Sequence, residues 1–307
     1  MTVRVLSANV GNLLPWCVGY EFNCCLWSVE RRIAAALRAR DPDIVFLQEV
    51  TPYALAADRR EWCPRRVGYR SDNRAVPDQV RRLLGPEYTI VCDPHRGTES
   101  IAIRRGVGEF LPDDAGRSIE AGELGGLHHS GGPDTTRYQA DFVASSDDDG
   151  FVMVSADAVV DGQEIRLVCA HPQALTNDRA RADQVATAFE RWGDHPRVLL
   201  AGDWNIDPFR QDDRAVDVWH RYVDRYGPRG RLVESGRFRY HSGVVEDGHT
   251  WPPRPTAHPP WPIGDLTLDH VVSTFATGSV RTLQGAANLD GGRGMDHDAL
   301  CGALELS

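Results

Sequence analysis

Hydrophobic residues in this chain gather in short runs that stop at polar groups, and helical and extended periodicities alternate along it. Thr2–Asn9 reads as a strand that ends in an amide. Ser28 then caps a helix whose apolar stripe is Val29, Ile33, Ala36 and Leu37, and Asp41-Pro42 ends it. Ile44–Leu47 is a continuous apolar strand that stops at Gln48-Glu49, and Ser100–Ile103 is another short one. Phe151–Val160 and Gln163–His171 flank Asp161-Gly162, a hairpin signal. A helix follows, with Ala182, Val185, Ala186, Phe189 and Trp192 on one face and Gly193 at its end. Val198–Ala201 is a strand that leads into Gly202-Asp203-Trp204-Asn205. Val216, Trp219, Val223 and Tyr226 mark a further helix stopped by Gly227-Pro228. Thr267–Ser273 and Ala299–Leu306 read as the last strands.

Strands alternating with helices, interrupted by a hairpin, predict mixed sheets covered by helices. Three segments fit no regular element: Pro15–Cys25, the Gly-rich Gly122–Pro133 with His128-His129, and the Pro-dense Gly248–Gly264 with Trp251 and Trp261. Long irregular segments in a compact fold are often functional. The chain carries no composition break and no repeat, so residues 1–307 are read as one domain.

The strand ends carry the chemistry. Asn9, Gln48-Glu49, His171 and Asp203-Trp204-Asn205 each close an apolar strand, and Asp269-His270 and Asp296-His297-Asp298 lie at two further segments. Residues at strand ends collect along one edge of a sheet. A single acid there is an ordinary polar cap; this many together are not. Asn9, Glu49, Asp203 and Asp296 are hard oxygen donors that suit Mg²⁺ or Mn²⁺. Histidines beside a hard cation stabilise charge or move protons. The chain has no Gly-x-Ser-x-Gly elbow, no Walker A loop and no His-Glu-x-x-His. A hydrolytic site of this make-up, without a nucleophilic Ser or Cys, points to attack by water on a phosphate ester.

Composition narrows the setting. Hydrophobic residues are 41% and charged residues 25%, an ordinary soluble composition that excludes disordered and fibrous classes. Its 34 basic residues, all arginine, face 44 acidic ones, for a net charge of −10, which argues against indiscriminate DNA binding. The longest apolar runs are too short to span a membrane. The first residues carry no secretory leader pattern. The seven cysteines, odd in number and without zinc-ribbon spacing, fit a reduced, cytoplasmic setting.

The motifs resemble, in order, those of the endonuclease/exonuclease/phosphatase superfamily, whose fold is that of deoxyribonuclease I. Val5-Leu-Ser-Ala-Asn9-Val is similar to its first strand, and Asp41-Pro-Asp-Ile-Val-Phe-Leu-Gln-Glu49-Val to its most diagnostic segment. Leu167-Val-Cys-Ala-His171 resembles its histidine strand, and Arg181-x-x-Gln184 follows on the next helix. Leu200-Ala-Gly-Asp203-Trp-Asn205 is similar to its Gly-Asp-Phe-Asn motif with Trp for Phe. Leu268-Asp269-His-Val and Met295-Asp296-His297 match the last two motifs, so the likeness runs from Val3 to Leu304. Pro172 departs from the pattern, which usually has an apolar residue there.

The resemblance implies an α+β, four-layer α/β/β/α sandwich of two mixed β-sheets flanked by helices. It implies a Mg²⁺ (or Mn²⁺) site at Asn9, Glu49 and Asp296. It implies that Asp203 activates water, that Asn205 holds the water or a phosphate oxygen, and that His171 and His297, the latter paired with Asp269, stabilise the transition state. Glu99 sits where a carboxylate supporting the first histidine falls; with Arg137 and Trp251 it is also a candidate substrate contact.

Several residues read more plainly. His128-His129 and His258 are expected in solvent, His270 on the face of its strand opposite Asp269, and Asp147-Asp148-Asp149 in a solvated turn. Asp58–Arg82 holds eight arginines against four acids and reads as a solvated helical face, or as a wall facing phosphate. Trp251 and Trp261 either stack on a base or sugar or pin their loop. The expected function is hydrolysis of a small phosphate ester: a phosphorylated metabolite, nucleotide, sugar or lipid headgroup. A DNA or RNA nuclease is the first alternative, and a binding protein that keeps only the fold is the second. The oligomeric state has no signature in the sequence.

Overall fold

A computed structural model of the chain describes residues 1–11, 27–50, 76–92, 99–111, 127–128, 137–138, 140–144, 152–173, 178–209, 211, 213–227, 231–242, 255–256, 266–283 and 297–307. The elements run β1 (Thr2–Asn9), α1 (Trp27–Arg38), β2 (Ile44–Gln48), α2 (Val76–Leu84), β3 (Tyr88–Cys92), β4 (Ser100–Arg104), β5 (Gly108–Phe110), β6 (Leu127–His128), β7 (Arg137–Tyr138) and β8 (Ala140–Ala144). They continue with β9 (Val152–Val160), β10 (Gln163–His171), α3 (Asp178–Trp192), β11 (Val198–Asp203), α4 (Arg214–Tyr222), β12 (Arg225–Tyr226), β13 (Leu232–Glu234), β14 (Arg239–Tyr240), β15 (Asp269–Ser273), β16 (Thr277–Thr282) and β17 (Leu300–Glu305).

Two mixed sheets form the body. One has the order β16-β17-β1-β2-β4-β3, the other β14-β15-β11-β10-β9-β5, with β8 also paired to β9. The parallel pairs are β1 with β2 and β10 with β11; the rest of each sheet is antiparallel. Asp161 and Gly162 take positive φ of 52° and 72° and join β9 to β10, as the primed turn of a tight hairpin requires.

Strict alternation along the strands sorts three apolar layers. Val3, Val5, Ile44, Phe46, Ile101, Leu167, Leu199 and Val271 fill the space between the sheets. The intervening residues Leu6, Val45, Leu47 and Ala102 turn outward onto Ile33 and Leu37 of α1 and Val80 and Leu83 of α2. Met153, Val168, Leu200 and Val272 turn the other way onto Phe189 and Trp192 of α3 and Trp219 of α4. The result is the expected α/β/β/α sandwich. Among the described residues no helix is long and apolar enough to cross a membrane.

Two expectations change in detail, and a third is described only in part. The last helix stops at Tyr222, because Val223 is extended (φ −106°, ψ 142°) and bridges Phe238, while Tyr226 pairs with Leu232. Its start is fixed by Asp213, whose carboxylate accepts from the Val216 amide at 3.0 Å. Second, Leu127–His128 of the Gly-rich segment pairs with Arg137–Tyr138, so part of that segment is a small ribbon beside β3. Third, the arginine-rich run is described only from Val76, where it forms α2 with Pro77 in the first turn, a position that needs no amide proton. The remainder of that run and Pro15–Cys25 lie outside the described residues.

Candidate active site

Alternation also dictates which strand-end residues meet. Val3 and Val5 face between the sheets, so Ser7 and Asn9 do too. The same count puts Gln48 inward after Ile44 and Phe46, His171 after Leu167 and Cys169, Asp203 after Leu199 and Ala201, and Asp269 two residues before Val271. Asn9 stands opposite Gln48 across the parallel pair, and Asp203 opposite Asp269 across the antiparallel one. One edge of the sandwich thus collects polar groups from both sheets.

Glu49 would face the helices if alternation continued. Its φ of 55° breaks the alternation and brings its Oε1 to 3.0 Å from Asn9 Nδ2. Asn205 is the second non-glycine residue of the cluster in the left-handed region, at φ 51°. Its backbone amide donates to Asp203 Oδ1 at 2.9 Å, and its side-chain amide donates to the Pro172 carbonyl at 2.7 Å. Such conformations cost about 1–3 kcal/mol each and persist where the surroundings enforce them. Gly202 has φ 151°, and a Cβ there would run into the Ala170 carbonyl oxygen of the neighbouring strand. Trp204 anchors the turn from the other side: it stacks on Phe189 at 5.1 Å and meets Trp219 edge-on at 5.1 Å.

Asp203 is the hub. Its Oδ2 accepts from Asn9 Nδ2 at 3.0 Å and lies 3.4 Å from His297 Nδ1 and 3.9 Å from His171 Nε2. His297 Nδ1 donates to Asp269 Oδ2 at 2.9 Å. His171 Nδ1 faces Glu99 Oε1 at 2.8 Å, and its Nε2 lies 3.7 Å from Glu49 Oε1. Asp203, Asp269, His297 and Glu99 are at most 2% exposed, whereas the His171 side chain keeps 18%. Glu99 therefore backs His171 from inside. Burial pulls the His171 imidazole down, but the Glu99 bond and the Asp203 and Glu49 charges outweigh it and raise its pKa to about 9. In the metal-free protein this favours the charged imidazolium.

The group types suit a hard cation: Asn9 Nδ2 donates to both Glu49 Oε1 and Asp203 Oδ2, which gathers two carboxylates around one amide, while Asn9 Oδ1 accepts from the Gly11 amide at 2.9 Å. Asp269 Oδ1 is a buried carboxylate oxygen with no hydrogen-bond partner among the described residues, the kind of atom that a bound ion or water satisfies. Among the described residues no three His, Cys, Asp or Glu side chains form a ready metal cluster. Asp296 and Trp251 lie outside the described residues, as do His129, His258, Trp261 and Asp147-Asp148-Asp149. Arg137 is placed by its backbone in β7, opposite His128. His270 turns away from the cluster, as its strand position dictates, and packs on Trp219 and Tyr240.

Of the residues that brace the cluster, the sequence marked Gln184 only as part of a motif and gave no sign of Asp207 or Thr256. Gln184 accepts from the Gln173 amide at 2.8 Å and fixes the turn after His171. Asp207, fully buried, accepts from the amides of Phe209 and Thr267 at 2.9 Å each. Thr256 accepts from the amides of Leu268 and Asp269. Gln184 stood in a recognised motif; Asp207 and Thr256 follow proline-rich or irregular stretches with no periodic signal.

Two mixed sheets face to face, helices outside, and carboxylates, amides and histidines on one edge define a deoxyribonuclease I-like sandwich, the architecture of a class of phosphoester hydrolases. The chain belongs to the endonuclease/exonuclease/phosphatase family, whose sequence model matches residues 6–293. It is similar to a humanised D. rerio TDP2 carrying 14 mutations, with 16% identity, 99% of each chain covered and a TM-score of 0.63. It is also similar to the human Nocturnin catalytic domain with bound sulfate anion, with 14% identity over 100% of this chain and 95% of that one and a TM-score of 0.58. A third likeness is to a mannosyl-6-phosphatase of Bacteroides thetaiotaomicron, with 15% identity, 99% of each chain covered and a TM-score of 0.51. At these identities the likeness is one of fold. No curated protein matches the sequence.

Proposed function

We propose that the Asp203 cluster is the active site of a Mg²⁺- or Mn²⁺-dependent phosphoesterase that hydrolyses a small phosphate ester by in-line attack of water. The observation that carries the reading is the convergence on Asp203: Asn9, His297 and His171 all approach the same carboxylate oxygen. Asn9, Glu49 and Asp296 would hold the divalent cation, which when bound neutralises charge on the phosphate and the departing oxygen. Asp203, fixed through Oδ1 by the Asn205 amide, orients the attacking water and takes its proton. Asn205, with one amide proton engaged by Pro172, has its other to offer a phosphate oxygen. His297 is held by Asp269 through Nδ1, so Nε2 is the nitrogen that meets the phosphate. His171, charged and backed by Glu99, stabilises the developing negative charge.

The net charge of −10 favours a small substrate over a polyanion. A nuclease is the second reading: the arginine-rich run offers a local basic wall, and a structurally similar D. rerio TDP2 was solved with single-strand DNA product (15% identity, TM-score 0.63). Phosphate release from a panel of nucleotides, sugar phosphates and phospholipid headgroups, with Mg²⁺ or Mn²⁺ against a chelator control, separates the two. Release from the panel supports the small-ester reading. Silence there with salt-sensitive nicking of plasmid DNA assigns the nuclease reading.

A further inference from the structure

The Asp269–His297 pair joins two segments that are remote in sequence: Asp269 opens β15, and His297 precedes β17. One residue outside both segments is bonded to the backbone of each. Thr256 is fully buried. Its Oγ1 accepts from the Leu268 amide at 3.0 Å and from the Asp269 amide at 3.2 Å. Its carbonyl accepts from the Asp298 amide at 2.8 Å, one residue after His297. Its own amide donates to the Leu266 carbonyl at 2.9 Å. The lead-in to β15 is clamped on its far side as well, through Trp204 N to Leu268 O and Thr267 N to Asp207 Oδ2. Among the described residues, these bonds make Thr256 a link between the backbones that deliver the two halves of the pair.

We infer that Thr256 is a positioning residue for the Asp269–His297 pair, acting through its hydroxyl on the Asp269 backbone and through its carbonyl on the segment after His297. It touches no reacting atom. Its role rests on the phosphoesterase reading for its effect on turnover, but not for its effect on the imidazole. A carboxylate that must hold one tautomer and one ring orientation tolerates little displacement, and errors of about 1 Å at such a site cost up to about 100-fold in rate.

Two substitutions separate the hydroxyl from the shape. Thr256→Val keeps the volume and removes Oγ1; Thr256→Ser keeps Oγ1. With ¹⁵N-labelled histidine, the His297 Nδ1 proton bonded to Asp269 gives a downfield signal that needs no substrate. The inference predicts that this signal shifts or vanishes in Thr256→Val and stays in Thr256→Ser. With bis-p-nitrophenyl phosphate and Mn²⁺, Thr256→Val should lower kcat by about 10- to 100-fold at similar KM, with Thr256→Ser close to the parent. In the Asp269→Asn background, Thr256→Val should add little to the loss. An unchanged signal in folded Thr256→Val overturns the inference, as does a fully additive loss with Asp269→Asn. Equal damage from Val and Ser, or loss of the fold in both Thr256→Val and Thr256→Ala, makes Thr256 a folding residue and also overturns it. Absence of hydrolysis in the parent protein with a normal signal pattern counts against the phosphoesterase reading and leaves the imidazole result to decide on Thr256.

Discussion

His171 shows how a single contact sets charge. Its ring is partly buried, which alone disfavours the imidazolium, yet Glu99 at 2.8 Å with Asp203 and Glu49 nearby raises its pKa to about 9. A folded pKa above the ordinary 6.5 favours folding at pH below 6.5, and that contribution fades as pH rises through about 9. Glu99→Gln should move the His171 titration to lower pH, because burial remains while the largest favourable partner loses its charge. A ¹⁵N titration of the chelator-treated protein reads this; an unmoved midpoint in the variant contradicts it. His171 was legible because it ends an apolar run in phase with the inner face, and Glu99 because it precedes the neighbouring short strand. The inward turn of Glu49 was not legible from periodicity, which sends it outward; only its positive φ brings it to Asn9. Thr256 lay hidden for a different reason: its bonds are to backbone amides set by tertiary contact, and no residue pattern announces them.

The long alternating elements could be read from their apolar period, and their observed bounds stay within a few residues of those expected. What escaped were the short or polar edge elements, such as β16, which is half exposed and carries little apolar alternation. The last helix was overextended for a physical reason: Val223 and Tyr226 keep helical spacing, but they pair with Phe238 and Leu232 and leave the helix. Its start depends on Asp213, which caps Val216 and also accepts from Arg181 of α3 at 2.5 Å. Asp213→Ala should therefore destabilise the protein by about 1 kcal/mol through the lost cap, and slightly more through the lost ion pair. Urea unfolding measures it; a change within error contradicts the capping role. The packing of α3 and α4 on the second sheet supports the turn that carries Asp203 and Asn205, through Trp204 against Phe189 and Trp219.

At the scale of the molecule, the ordered motifs located the sandwich and the edge on which the candidate site residues meet, while charge and composition did not single out a substrate. Two histidines away from the site tie the sandwich to pH. His270 donates through Nε2 to the Ile206 carbonyl at 2.9 Å and accepts from Tyr240 at 3.0 Å. His241 donates to the Gly278 carbonyl at 3.1 Å and accepts from Ser273 at 2.7 Å. Burial holds each at a pKa of about 4. Unfolded histidine binds its proton near pH 6.5, so the unfolded state binds more protons between pH 6.5 and 4. The contribution of these two histidines is complete above pH 6.5 and is lost as pH falls towards 4, by up to roughly 3 kcal/mol per histidine. Thermal unfolding from pH 7.5 to 4 should show this slope, and His241→Gln should reduce it by about half; a flat profile contradicts the burial account.

The central claim is that the edge around Asp203 performs hydrolysis. Its most direct test is turnover of the best panel substrate by Asp203→Ala beside the parent protein, at equal Mg²⁺ or Mn²⁺, with circular dichroism verifying the fold. If Asp203 takes the proton from water, its removal predicts a loss of about 10²- to 10⁴-fold in kcat. Full turnover in a folded Asp203→Ala protein would contradict the account.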